Sequence, residues 1–158
     1  MKHSLAHFFA LFVIVLSFSE TFCKRPKKIR KQTSTLDTPL ISVVSPDSFA
    51  TVVAESKIPV VLTICATGTW CALSHAMAPV IKQVATEKKD SVQFAEIHVD
   101  SFDREEPALV LLKQRYNVEV DCVPTSFVIV NNQVIGKLEE EMDLEKFNET
   151  INSILQKK

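Results

Sequence analysis

Glycine is nearly absent from this chain. Gly68 and Gly136 are the only two in 158 residues. That is too few for a loop-rich or repetitive fold, whose turns draw on the freedom of glycine at positive φ. No internal repeat and no low-complexity tract interrupts the sequence, which argues against solenoids and arrays. No apolar run reaches the ~20 residues that span a bilayer comfortably, since the run from Phe8 to Phe18 stops short. No Asp or Glu lies between Ile58 and Cys71, so that stretch has no carboxylate of its own. The four cysteines, Cys23, Cys65, Cys71 and Cys122, include no Cys-x-x-Cys pair, which excludes a local dithiol. Structural zinc takes four ligands. Cys71 and His75 offer two at i, i+4 with no second pair, so neither a metal nor a cofactor is expected.

What is present suits one ordinary domain with a terminal extension. The hydrophobic content, 46%, is enough for a core. Lys2, the Phe8–Phe18 run and the small residues of Ser17-Phe18-Ser19 have the grammar of a signal peptide or signal anchor over residues 1–23. Cys23 is a poor lipid attachment site, because Glu20-Thr21-Phe22 lacks small residues. Residues 24–39 read as a basic and Ser/Thr-rich linker ending at Pro39, with six basic residues among the eight of Lys24–Lys31. This run is either a solvated linker or an arm touching an anionic membrane surface, at ~1 kcal/mol per basic residue. Positive charge after an apolar segment opposes translocation, which leaves a reverse-oriented anchor as the alternative. The expectation is export, to a periplasm, a secretory lumen or the outside, with tethering by the N-terminal segment as a variant. Residues 40–158 hold 11 Lys and Arg against 17 Asp and Glu, a balance of −6 that argues against nucleic acid as a partner.

Along residues 40–158 the pattern alternates. Leu40–Val44 reads as a short edge strand. Ser45 and Pro46 open a helix whose apolar face is Phe49, Val52 and Val53. Val60–Ala66 is apolar on both faces, as a strand covered by helices on both sides would be. Ala72–Lys88 has helical periodicity with Pro79 inside it. Val92–Val99 is a strand, Glu105–Tyr116 a helix, and Ser126–Val130 with Val134–Leu138 a hairpin around Asn131-Asn132. Asp143 caps a last helix that turns Leu144, Phe147, Ile151 and Leu155 inward. The order βαβαβαββα predicts a mixed α/β sheet with helices on both faces.

The chemistry is focused on Trp70-Cys71-Ala72-Leu73-Ser74-His75. Cys71 stands at a strand-to-helix turn, where unpaired N–H groups and the helix dipole favour thiolate. Thiolate is the nucleophile of disulfide exchange. Ser74 lies on the same side of the first turn and can donate a hydrogen bond to that sulfur. His75 is a candidate modulator of the Cys71 pKa. Cys65, inside the strand, reads as a buried small hydrophobe.

Trp70-Cys71 followed by Pro79 resembles the thioredoxin signature, Trp-Cys-Gly-Pro-Cys-Lys with a later helix proline. Val123-Pro124-Thr125 resembles that family's X-Pro-Thr segment, and Asn131-Asn132-Gln133-Val134 its β-hairpin. The resemblance covers residues 40–156 and implies the thioredoxin fold, as found in thioredoxins and protein disulfide isomerases. It implies a cis proline at Pro124 facing Cys71, with Trp70, Val123, Pro124 and Thr125 binding substrate. It departs at the second cysteine, where Ser74 stands, at Ala72-Leu73 in place of Gly-Pro, and at His75 in place of Lys. The buried acid that the family often carries near Cys65 is missing too, which is consistent with there being no second thiol to deprotonate.

With Ser74 in that place, Cys71 and Ser74 cannot carry out net dithiol oxidation or reduction. Isomerisation and mixed-disulfide capture of protein thiols or disulfides remain open, with release by an external thiol, a substrate cysteine or a partner. Cys122, two residues before Pro124, is either an inert exposed thiol, a site of intermolecular pairing or a distant resolving thiol. The expected function is monothiol thiol–disulfide exchange on exported proteins. The alternative is a redox-inactive binding module or chaperone. Asn148-Glu149-Thr150 also fits an N-glycosylation sequon.

Overall fold

The computed structural model describes residues 39–101, 105–139 and 141–157. The signal segment and nearly all of the basic linker expected from the sequence lie outside these residues. Five strands form one sheet: β1 (Ile41–Val43), β2 (Val60–Ala66), β3 (Gln93–Val99), β4 (Thr125–Val130) and β5 (Gln133–Leu138). Among the described residues three α-helices accompany them: α1 (Ala72–Lys88), α2 (Pro107–Tyr116) and α3 (Leu144–Gln156). The sheet order is β1-β3-β2-β4-β5. β3 runs parallel to both β1 and β2, β4 is antiparallel to β2, and β5 is antiparallel to β4. This is the mixed sheet the sequence predicted.

The continuous apolar run of β2 explains its central place. Alternate side chains of a strand face opposite sides of the sheet, and both sides are covered here. Leu62 and Ile64 join Phe127 and Ile129 of β4, Ala108 and Leu112 of α2, and Phe49 and Val53 in one core. Val61 joins Phe94, Val128, Met77, Ile81 and Val84 of α1, and Phe147 and Ile151 of α3 in the other. β2 is therefore clamped between two cores, and its C-terminal end is a fixed platform for the loop that leads to Cys71.

Local signals account for most boundaries. Pro107 occupies the first helical position of α2, two residues later than the predicted start at Glu105. The Asp143 carboxylate accepts the Lys146 N–H at 2.8 Å and caps α3. Asn131 and Asn132 take φ of 49° and 59°, as a two-residue primed turn requires. α1 runs from Ala72 to Lys88 through Pro79.

One expectation is corrected. In place of an α-helix after Ser45, the chain makes a turn and then a π-helical turn, Ala50–Ala54, closed by Glu55 N–H to Ala50 O at 2.9 Å. Ser45 and Ser48 form a local ring. The Ser45 N–H donates to Ser48 Oγ at 2.9 Å, and the Ser48 N–H donates to Ser45 Oγ at 3.3 Å. The wide turn after this ring places both Phe49 and Val53 in the core, at 2% and 1% exposure. Serine side chains that bond nearby backbone N–H groups, as in this ring, compete with a regular α-helical start.

The scarce glycine at 136 marks a close approach between β5 and α3. A Cβ there would lie 2.6–2.9 Å from side-chain atoms of Ile154, including the β-branch. Gly136→Ala is therefore expected to cost about 1–3 kcal/mol through overpacking. Gly136→Ala/Ile154→Val should recover part of that loss. Denaturant midpoints of the two variants against wild type measure it, and additive losses would refute a steric cause.

Candidate active site around Cys71

Cys71 caps the N-terminus of α1 with extended backbone, φ −121° and ψ 96°. The cap position places its sulfur beside N–H groups that have no helical partner. Its thiol donates to the carbonyl of Val123 at 3.3 Å. The Val123–Pro124 peptide bond is cis, so the proline segment does face Cys71 as the resemblance implied.

Ser74 is 5% exposed and makes two hydrogen bonds. Its Oγ accepts the backbone N–H of Ala66 at 3.1 Å and donates to Cys71 Sγ at 3.4 Å. The first bond occupies the oxygen from the β2 side, and the hydroxyl proton is directed at the sulfur. Burial pushes the Cys71 thiol up. The Ser74 hydroxyl and the backbone N–H groups of Ser74 and Leu73 outweigh that push, so the thiol lies below its ordinary value.

Cys65 is a contrast in the same neighbourhood. It sits in β2 at 8% exposure. Burial first, then the charges of Glu96 and Cys71, push its thiol up to about 12. A thiol so placed is unreactive near neutrality.

The loop before Cys71 is held from two sides. His75 donates from Nε2 to the carbonyl of Gly68 at 2.6 Å, and Gly68 takes φ of 69°. Thr67 bonds the Asp100 carboxylate through its hydroxyl. His75 thus braces the loop that delivers Trp70 and Cys71. Trp70 and Leu73, one residue before Cys71 and two after it, are 50% and 44% exposed.

Val123, Pro124 and Thr125 are buried, backbone included, and the Val123 carbonyl is taken by the Cys71 thiol. The Thr125 hydroxyl donates to the carbonyl of Cys122 at 2.7 Å and ties the turn together. Cys122 is exposed, with its Sγ 3.7 Å from Thr125 Oγ1. Residues 118–121, just before it, form with α2 the wall of a groove of about 600 Å³ lined by Leu109, Val110, Val118 and Val120 and equally by Lys113, Gln114, Glu119 and Asp121. Among the described residues no cluster of three or more His, Cys, Asp or Glu side chains is arranged to hold a metal.

Of the residues singled out from sequence, Trp70, Cys71, Ser74 and Val123 come together. Cys122 joins them through its turn, and His75 acts on the preceding loop. Three contributors were missed. The Ala66 N–H is a backbone group with no residue signature. Leu73 reads as an ordinary apolar position. Gly68, between two threonines, did carry a signal, since a lone glycine before a helix invites a positive φ.

The family model for thioredoxin matches residues 40–153. A thioredoxin from Mycolicibacterium smegmatis is 42% identical over 57 residues, which is 36% of this chain and 49% of that protein. The chain thus spans about half the length of this curated relative.

Ser74→Ala removes the donor to sulfur, so the Cys71 pKa should rise. The pH profile of Cys71 alkylation should move to higher pH, with slower alkylation at pH 7, while Cys65 resists alkylation until the protein is unfolded. Mass-resolved alkylation rates from pH 5 to 10 test this. An unchanged Cys71 profile would remove Ser74 from the site's electrostatics.

Proposed function

The chain belongs to the thioredoxin family, and on that premise we propose that Cys71 carries out thiol–disulfide exchange with protein substrates. The working mode is monothiol: isomerisation of a client's disulfides, or capture of a client as a mixed disulfide. The observation that carries the reading is the pairing of a lowered Cys71 thiol with a serine hydroxyl, where the family signature has its second cysteine. Cys71 thiolate attacks one sulfur of a client disulfide. The new bond joins Cys71 to the client, and the other client sulfur leaves as thiolate and takes up a proton. Ser74 supports the thiolate before attack and has no sulfur with which to displace the client. A client cysteine that returns to attack the mixed disulfide completes an isomerisation with no net oxidation or reduction.

The site offers a client two kinds of contact. Trp70 and Leu73 give exposed apolar surface next to Cys71 in the chain. The groove beyond Val118 and Val120 can take a flanking side chain. That groove also favours a second reading, a binding module that keeps peptide contact without exchange.

Three proteins separate the readings. Wild type should form a Cys71 adduct with a model disulfide at neutral pH, and should show insulin reductase turnover well below that of Ser74→Cys. Cys71→Ser should form no adduct at that site. Ser74→Cys should gain an internal disulfide and measurable turnover. If wild-type Cys71 forms no adduct, the binding-module reading takes its place.

We also propose that the domain works outside the cytoplasm, on the grounds of the Lys2–Ser19 pattern. Residues 1–40 fused to a reporter that matures only after export should give signal. Reporter activity confined to the cytoplasm would support the reverse-oriented anchor instead.

A further inference from the structure

We infer that Cys122 is an escape thiol, which displaces clients that Cys71 has captured and that do not rearrange. The inference rests on the exchange role proposed for Cys71. With serine at position 74, the release step needs a sulfur from elsewhere. Cys65 is a poor source, being held in β2 at 8% exposure. Cys122 is exposed and adjoins Val123, the residue whose carbonyl the Cys71 thiol touches at 3.3 Å.

The two sulfurs also lie on one side of the sheet. Cys122 Sγ sits 3.7 Å from Thr125 Oγ1. Thr125 shares its strand face with Phe127 and Ile129, because strand side chains alternate. Phe127 and Ile129 belong to the core on the α2 side, and Cys71 packs against that same core.

The hold on the turn ends when Cys71 loses its proton, and capture keeps it ended. In the thiol form Cys71 donates to the Val123 carbonyl. Once its sulfur carries a client it has no proton to give, and that carbonyl loses its donor. The two sulfurs are free and held on different partners, Cys71 on the Val123 carbonyl and Cys122 beside Thr125, so the turn has to shift for a disulfide to form between them. Residues 117–123 are neither helix nor strand, and since Val118, Val120 and Val123 pack on the core, the shift falls on the exposed Asp121 and Cys122. The required shift makes escape slower than attack by a client's own nearby thiol, so captured clients have time to isomerise.

The step balances. The Cys122 thiol gives up its proton, and its sulfur attacks Cys71 Sγ. The Cys71–client S–S bond breaks, a Cys71–Cys122 disulfide forms, and the client sulfur leaves as thiolate and is reprotonated. The client sulfur is reduced and the domain is left oxidised, ready for an external thiol reductant.

The test uses the full reduced chain in excess over an aromatic disulfide, dithiobis(nitrobenzoate), with intact-mass and peptide mapping under non-reducing conditions. Wild type should pass from a Cys71 adduct to a chain two hydrogens lighter, with the Cys71 and Cys122 peptides linked. Cys122→Ser should keep the adduct longer by on the order of tenfold or more, because an intramolecular thiol acts at millimolar effective concentration. Cys65→Ala should behave as wild type. Equal adduct lifetimes in wild type and Cys122→Ser would overturn the inference and leave the exchange reading standing. So would release that depends on Cys65, or a covalent dimer through Cys122 with the Cys71 adduct unchanged. Absence of any Cys71 adduct in all three proteins would overturn both.

Discussion

The Ser74 hydroxyl is held between the end of β2 and the Cys71 sulfur, and the site's chemistry depends on that bridge. On one side the Ala66 N–H donates to it, and on the other it donates to sulfur. A cysteine at this position would be a weak acceptor for the backbone and a weak donor to its neighbour. Serine does both jobs with an oxygen. The exchange is asymmetric: the site gains a fixed donor that favours the Cys71 thiolate and loses the sulfur that would displace a client. On the proposed role, this supports the step that forms a mixed disulfide and leaves the step that dissolves it to other thiols.

The bridge is only as rigid as its anchor. Ala66 closes a strand whose side chains are buried by α2 on one face and by α1 and α3 on the other. The helix that presents Cys71 packs through Met77, Ile81 and Val84 onto the sheet that supplies the Ala66 N–H. Sulfur, hydroxyl and backbone donor are thus fixed by two packed elements. The preceding loop is tied separately through His75 to Gly68 and Thr67 to Asp100. Sites built on packed elements hold their geometry better than sites built on loops. The third side, the turn at Cys122–Pro124, has the weakest hold on the sulfur, a single thiol-to-carbonyl contact.

The sequence carried the fold through signals that are local and redundant. The apolar run of β2, the helical period after Cys71, the paired asparagines and the Asp143 cap each specify an element without reference to the others. The bounds of β2 and α1 come from those signals directly. The segment after Ser45 shows where this fails. Ser45 and Pro46 signal a helix start, but Ser45 and Ser48 bond each other's backbone N–H groups, and that ring competes with a regular first turn. The site was legible to the same extent. Cys71 and Ser74 are marked by a helix N-terminus and a three-residue spacing. The Ala66 N–H, the brace from His75 to Gly68 and the contact of Gly136 with Ile154 arise from tertiary approach, which no residue type announces.

Two cysteines six residues apart show how environment, rather than sulfur chemistry, assigns roles. Cys65 lies under the site in the buried strand, and desolvation with the nearby Glu96 charge keeps its thiol protonated. Cys71 is at the surface end of the same strand-to-helix turn, with a hydroxyl and two backbone N–H groups aimed at it. A protonated neighbour is useful to Cys71. A second thiolate behind it would repel its charge and raise its pKa, and a carboxylate in the same strand would do the same. The stretch from Ile58 to Cys71 has no acidic residue and a thiol that stays neutral. Dithiol chemistry needs a group there to deprotonate the second sulfur. With serine in that place the need disappears, and a strand with no charge of its own adds nothing to repel the Cys71 thiolate.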